Sequence, residues 1–221
     1  MDIRIESLLE GARRATGAIA VIDVLRAVTT AAVALANGAR HIVMVGGIQE
    51  ALALRASGTV DLCMGEEKGH KPSAFDFGNS PFEMTTADVR DKVLVQRTSA
   101  GTQGVVAAAG QARHLFAASL VTASATARAL RATGVTPITL VAMGDSGVAR
   151  TDEDELCALH LRNRLIGRQG DPKAVADLIR AGGDSERFRD PGKPHLDPRD
   201  LDIALDTDRY DFALRAAIED G

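Results

Sequence analysis

The stretch Gly17–Asn37, GAIAVIDVLRAVTTAAVALAN, decides the fold. Its first part, Gly17–Val24, is a short apolar run rich in Ile and Val and reads as a buried strand. Its second part, Val28–Asn37, is Ala-rich and ends in Asn37-Gly38, a helix C-terminal signal. Between them stands Asp23-Val-Leu-Arg26, charged residues at the exit of a strand. The same alternation continues along the chain. Strands are expected at His41–Val45, Val60–Met64, Lys92–Gln96, His114–Ala118 and Pro137–Ala142. Helices are expected at Gln49–Ser57, Gly101–Ala112, Ala123–Thr133 and Asp152–Arg168, and Gly65–Asn79 is a long polar, Gly-rich loop. Short apolar strands alternating with helices imply an α/β protein, a three-layer α/β/α arrangement around a mostly parallel sheet.

The chain has 221 residues, enough for one medium domain. We read residues 1–168 as its core and residues 169–221 as a loop-rich C-terminal extension packed on it, with helices at Asp171–Ala181 and Asp202–Ile218. Net charge is −4, without a basic run, and only 3% of residues are aromatic. No nucleic-acid partner is therefore expected, since phosphate neutralisation needs clustered cations and single strands need stacking platforms. The start, MDIRIESLLEGARR, lacks the apolar run of a signal peptide. No apolar stretch approaches the roughly 20 residues that span a bilayer. A cytoplasmic protein without a membrane partner is expected, and homo-oligomerisation is left open. Cys63 and Cys157 form no ligand spacing and read as core residues. Of the five His, only His70 falls in a candidate site loop.

In such sheets ligands bind beyond the carboxyl ends of the strands. The residues there are Asp23, Arg26, Thr29 and Thr30; Glu66, Lys68, Lys71, Asp76, Asn79 and Ser80; Thr98, Ser99, Gly101 and Thr102; and the acidic run Asp152–Glu155. Carboxylates suit Mg²⁺, while Arg, Lys, hydroxyls and helix N-terminal N–H groups suit phosphate. Simpler roles compete with these. Ser80-Pro81-Phe82-Glu83 fits a helix capping box, and Asp152–Glu155 fits the positive end of a helix dipole. The P-loop, the dinucleotide glycine fingerprint and the GxSxG elbow are all absent, as are Cys- and DxD-based phosphatase signatures.

Four segments occur together in a telling order: IDVLRAVTTAAVALANGA, GEEKGHKPSAFDFGNSPFE, TSAGT and DEDELCA. In order and spacing they resemble the 2-phosphosulfolactate phosphatases from about Ile19 to Arg164, most specifically in DVLRA-x-TT and FDxGNSPxE. The resemblance implies an α/β/α, Mg²⁺-dependent phosphatase acting on 2-phospho-3-sulfolactate, a step toward coenzyme M. The family pattern falls on Asp23, Arg26, Thr29, Thr30, Glu66, Asp76, Gly78, Asn79, Ser80, Pro81, Thr98, Gly101, Thr102, Glu153, Asp154 and Cys157. On this reading Asp23, Glu66, Asp76 and Asp154 are the candidate metal ligands and base, and Asp23 or another carboxylate could also act as nucleophile. Arg26 holds a phosphate oxygen. Thr29, Thr30, Lys68, Lys71, Asn79, Ser80, Thr98, Ser99, Gly101 and Thr102 complete the substrate site.

Glu67, Ala100 and Gln103 depart from the family pattern, where Arg, Asn and Arg are common. These departures set up an expectation that another 2-phospho-carboxylate is preferred over the sulfonated compound. Two other readings compete: a non-catalytic anion-binding or regulatory protein on the same scaffold, and, more weakly, a dinucleotide-dependent oxidoreductase.

Overall fold

The computed structural model describes residues 1–218. In chain order the elements are β1 (Ile3–Ser7), α1 (Leu8–Arg14), β2 (Gly17–Ile22), α2 (Ala27–Ala36), β3 (His41–Met44), α3 (Ile48–Ala56) and β4 (Leu62–Gly65). There follow α4 (Pro81–Met84), β5 (Val93–Arg97), α5 (Gly101–Ala109), β6 (Ala112–Ala118), α6 (Ala123–Ala132) and β7 (Ile138–Ala142). The chain continues with α7 (Asp152–Leu165), α8 (Pro172–Ala181), α9 (Gly183–Glu186), α10 (Pro198–Ala204) and β8 (Leu214–Ala216).

The fold is α/β and mostly parallel, as expected, with its strands divided between two sheets. The larger has the order β1-β7-β2-β6-β8, the smaller β3-β5-β4. All pairs are parallel except β6–β8. Every residue of β2 is buried, because β2 lies between β7 and β6 with cover on both faces. Helix α2 explains how two sheets share one molecule. Its Val28, Ala31 and Ala32 pack into the core of the larger sheet, while Val33 and Ala34 pack into that of the smaller. A helix apolar on nearly every side is one buried between layers. Its alanines let both layers approach closely. The buried Gln96 side chain, on β5, donates to the Ala27 carbonyl (2.9 Å) and ties the small sheet to the start of α2.

Two regions differ from the sequence reading. The first strand and helix, β1 and α1, had no expected counterpart. The expected helix Asp202–Ile218 is instead the end of α10, a turn region and β8. Asp197 caps α10 by accepting from Arg199 N–H (2.9 Å), which starts that helix at Pro198. After the helix ends, Asp208 adopts a left-handed φ of 61° and accepts from Ser124 backbone N–H (2.6 Å). A continuous helix through Asp206–Asp208 would forfeit those bonds.

Candidate active site

The carboxyl ends of β2, β7, β4 and β5 converge on one cavity of about 390 Å³. Residues from all four lie in its wall: Asp23 after β2, Glu66 after β4, Ser99 and Ala100 after β5, and Gly144 and Asp145 after β7. Glycines make the approach of these loops feasible. Gly65 has φ +134°, and a Cβ there would fall 1.9 Å from the Arg97 carbonyl oxygen. A Cβ on Gly101 would meet Asp23 Oδ2 at 2.7 Å, so the N-terminus of α5 reaches that carboxylate only because position 101 has no side chain.

Asp23 is 6% exposed, and its Oδ1 accepts from Ala27 N–H at 2.9 Å. Burial pushes its carboxyl up to about 6, with the charge of Glu66 acting in the same direction. Ala27 N–H, Gly101 N–H and the Arg187 guanidinium oppose the shift. Asp154 is fully engaged: Oδ1 accepts from Val24 N–H and Oδ2 from Gly144 N–H, both at 2.8 Å. It therefore clamps the ends of β2 and β7 together. Burial drives its carboxyl well above the ordinary range, reinforced by Asp23 and Glu153. Glu66 plays a similar role between loops. It accepts from Gly69 N–H (2.6 Å), Ser99 Oγ–H (3.1 Å) and Ser99 N–H.

Glu153 was not among the site residues read from sequence, although the family pattern includes its position. Its place in the first turn of α7 gave the helix dipole as a sufficient reason for an acid. Its side chain enters the cavity, 3% exposed, with Oε1 3.6 Å from Arg187 Nη2 and Oε2 buried without a partner. Burial is the main cause of its carboxyl rising to about 7; Asp184 adds to it and Arg187 opposes it. A second buried acceptor without a partner, Asn79 Oδ1, lies on the same wall.

Arg26 lines the cavity and is itself held. Its Nη1 donates to Asp200 Oδ2 at 2.7 Å and to the His195 carbonyl at 3.2 Å, and its guanidinium lies 5.8 Å from the centre of the Phe188 ring. The C-terminal extension thus closes the site with Arg187, Phe188, Lys193, His195 and Leu196. None of these was legible as a site residue, since the segment GGDSERFRDPGKPHLDPRD reads as a polar loop.

Several expected site residues support the backbone instead. Asp76 and Lys71 are not in the cavity wall. Asp76 accepts from Cys63 N–H (2.8 Å) and pairs with Arg55 (3.0 Å), while Lys71 Nζ donates to the Asp76 carbonyl (3.3 Å). Thr29 and Thr30 are wholly buried and donate to the Val24 and Arg26 carbonyls. Thr98 and Thr102 bond one another across the start of α5. Ser80 caps α4 through Glu83 N–H (3.1 Å) and donates to Asp200 Oδ1 (2.6 Å). Asp23, Arg26, Glu66, Lys68, Asn79, Ser99 and Asp154 do share the cavity. The departures from the family pattern have different consequences. Glu67 pairs with Arg97 at 3.4 Å, and the Gln103 amide donates to the Gly46 and Thr98 carbonyls. Neither lines the cavity, so the repulsion and lost donor on which the substrate expectation was built are not in the site; Ala100 is.

A sequence model of the family described as 2-phosphosulpholactate phosphatase matches residues 4–184. The chain belongs to that family. Its members are phosphoric monoester hydrolases, and this chain is an enzyme of that class. The chain is 34% identical over 200 residues to a Bacillus subtilis protein, covering 88% of this chain and 85% of that one. It is 38% identical over 135 residues to a Thermus thermophilus protein, covering 61% and 56%. A Deinococcus radiodurans protein is 35% identical over 179 residues, covering 78% and 74%. Each of the three is named "Probable 2-phosphosulfolactate phosphatase". The family model ends before Arg187, whereas the match to the Bacillus subtilis protein, which covers 88% of this chain, runs through Arg187 and Lys193. Among the described residues no helix is long and apolar enough to cross a membrane.

Proposed function

We propose that the protein hydrolyses a small acidic phosphate monoester of the 2-phosphosulfolactate type, with Mg²⁺ as cofactor. The observation that carries this reading is the single cavity in which Asp23, Glu153 and Arg26 meet at the carboxyl edges of both sheets. The donor set fits a hard cation. Asp23 and Glu153 are buried acids whose ionised forms their surroundings disfavour, and Glu153 Oε2 has no partner. Among the described residues no group of three or more His, Cys, Asp and Glu forms a ready-made metal cage. Mg²⁺ usually binds through one or two carboxylates and the substrate's phosphate rather than through such a cage. Glu153 would hold it, with the substrate's phosphate, and when bound it would neutralise charge on the phosphoryl oxygens.

The chain's own groups supply the rest. Arg26, fixed by Asp200, presents its guanidinium to a phosphoryl oxygen. One carboxylate, which we assign to Asp23, takes the proton of the attacking water as its oxygen bonds to phosphorus. The ester P–O bond breaks, the leaving oxygen takes up a proton, and the products are a 2-hydroxy acid and inorganic phosphate. Asp154 and Glu66 are positioning residues on this scheme, because their oxygens already hold backbone groups.

Release of inorganic phosphate from 2-phosphosulfolactate, 2-phospholactate and 2-phosphoglycolate, with Mg²⁺ and with excess chelator, tests the reading. Turnover that needs the metal is expected. Failure to hydrolyse any of the three would overturn the proposed substrate class, and an undiminished rate in chelator would remove Mg²⁺ from it.

A further inference from the structure

The cavity is acidic at its floor and carries two lysines at its mouth, where Asp145 is also exposed. Asp23, Glu66, Glu153 and Asp154 are all less than 10% exposed, whereas Lys68 and Lys193 are exposed on opposite loops. Two cations deeper in the wall are already committed, Arg26 to Asp200 and Arg187 to Glu153. Among the described residues neither Lys68 nor Lys193 has a carboxylate within ion-pair distance. The two loops that carry them meet through their histidines, with the His70 and His195 rings 4.2 Å apart between centroids. The Lys193 loop is anchored. Its His195 carbonyl accepts from Arg26, and Phe188 is buried beneath the Arg26 and Arg187 guanidinium groups.

A substrate with three acidic groups faces a difficulty at such a site, whose floor is lined by four acids. The phosphoryl end can be neutralised there by Arg26 and a metal. The remaining acidic groups of the substrate need cations beyond Arg26. We propose that Lys68 and Lys193 form the subsite for the acidic tail of the substrate, the part that keeps its charge when phosphate leaves. Lys193, on the C-terminal segment that closes the site, sets the discrimination between tails. Their field also draws anions past the acidic floor, a steering effect that salt weakens. The inference rests on the phosphatase reading for the orientation of the substrate, with the phosphoryl group at the floor.

The test compares wild type with Lys193→Gln, Lys68→Gln and Lys193→Arg. Two quantities are read: the ratio of kcat/KM for 2-phosphosulfolactate over phenyl phosphate, and the affinity for 3-sulfolactate by calorimetry. Loss of a charge-assisted hydrogen bond corresponds to roughly tenfold or more in each. Both glutamine variants are expected to lower the ratio and the affinity by about that factor, with Lys193→Arg within twofold of wild type. A ratio or an affinity unchanged in Lys193→Gln would overturn the inference. So would an equal loss on both esters, which marks a structural effect. If wild type hydrolyses neither ester, the phosphatase reading fails, and the calorimetric comparison still decides whether these lysines hold the acid.

Discussion

Asp23 has one oxygen committed to the N-terminus of α2 and a charge that its surroundings resist. If it takes a proton from water, Asp23→Asn should lower kcat by about 10²–10⁴, with little loss of folding stability. Steady-state kinetics beside a thermal melt would check this, and a folded variant with normal turnover would exclude Asp23 from the chemistry. Glu153 makes a different prediction. Its carboxyl sits at about 7 instead of the usual 4.5, chiefly through burial. The native state therefore holds a proton that the unfolded chain has released between about pH 4.5 and 7, and stability falls as pH rises through that window. In metal-free protein, denaturant midpoints measured across this range should decline less for Glu153→Gln than for wild type. Equal slopes would show that Glu153 is not the titrating group. Ser80 belongs to neither kind. Because it caps α4, Ser80→Ala should cost about 0.5–2 kcal/mol in urea unfolding. Turnover of the folded fraction should be close to normal, since the hydroxyl faces Glu83 and Asp200 rather than the cavity.

At the scale of elements, the strands from β2 to β7 were legible because each is a short, mostly apolar run between turn residues. The edge strand β1 was not. In IRIES charged and apolar residues alternate, and its residues are only partly buried. The three residues of β8 are too few to show any period, and they are a strand only because β6 offers an open edge. Nor could the division into two sheets be read, since each strand pattern is compatible with either. The one clue was α2, whose AVTTAAVALA leaves no polar face for solvent. In the site, residues directly after strands were found because the strand ends mark them. Glu153 had a sufficient explanation elsewhere, and Arg187, Lys193 and His195 stand in a segment with no periodicity at all. Asp76 is the opposite case. It sits inside the most specific motif of the chain, but its carboxylate serves the Cys63 backbone N–H and Arg55.

For the molecule as a whole, Asp200 joins what sequence distance separates. It is wholly buried and accepts from Arg26, from Ser80 Oγ–H and from Phe82 N–H, linking α10 to α4 and to the loop before α2. Removing one partner of a buried pair leaves the other charge uncompensated, at about 3–5 kcal/mol. Asp200→Ala should therefore lose about that much stability in denaturant unfolding, far more than Ser80→Ala. A loss below 1 kcal/mol would show that Arg26 finds another partner.

The same contact has a consequence for how the protein comes into being. Arg26 and Asp200 are 174 residues apart in the chain. At about 5–20 residues per second, a ribosome takes on the order of 9–35 s to pass from one to the other. Late in that interval, once residues up to Ala142 have been made, the nascent chain can pair β2 with β6 and β7, yet the Arg26 guanidinium still has no carboxylate to fix it. The wall of the cavity is thus completed last: the arrival of α10 that settles the arginine follows directly on the loop that carries Lys193.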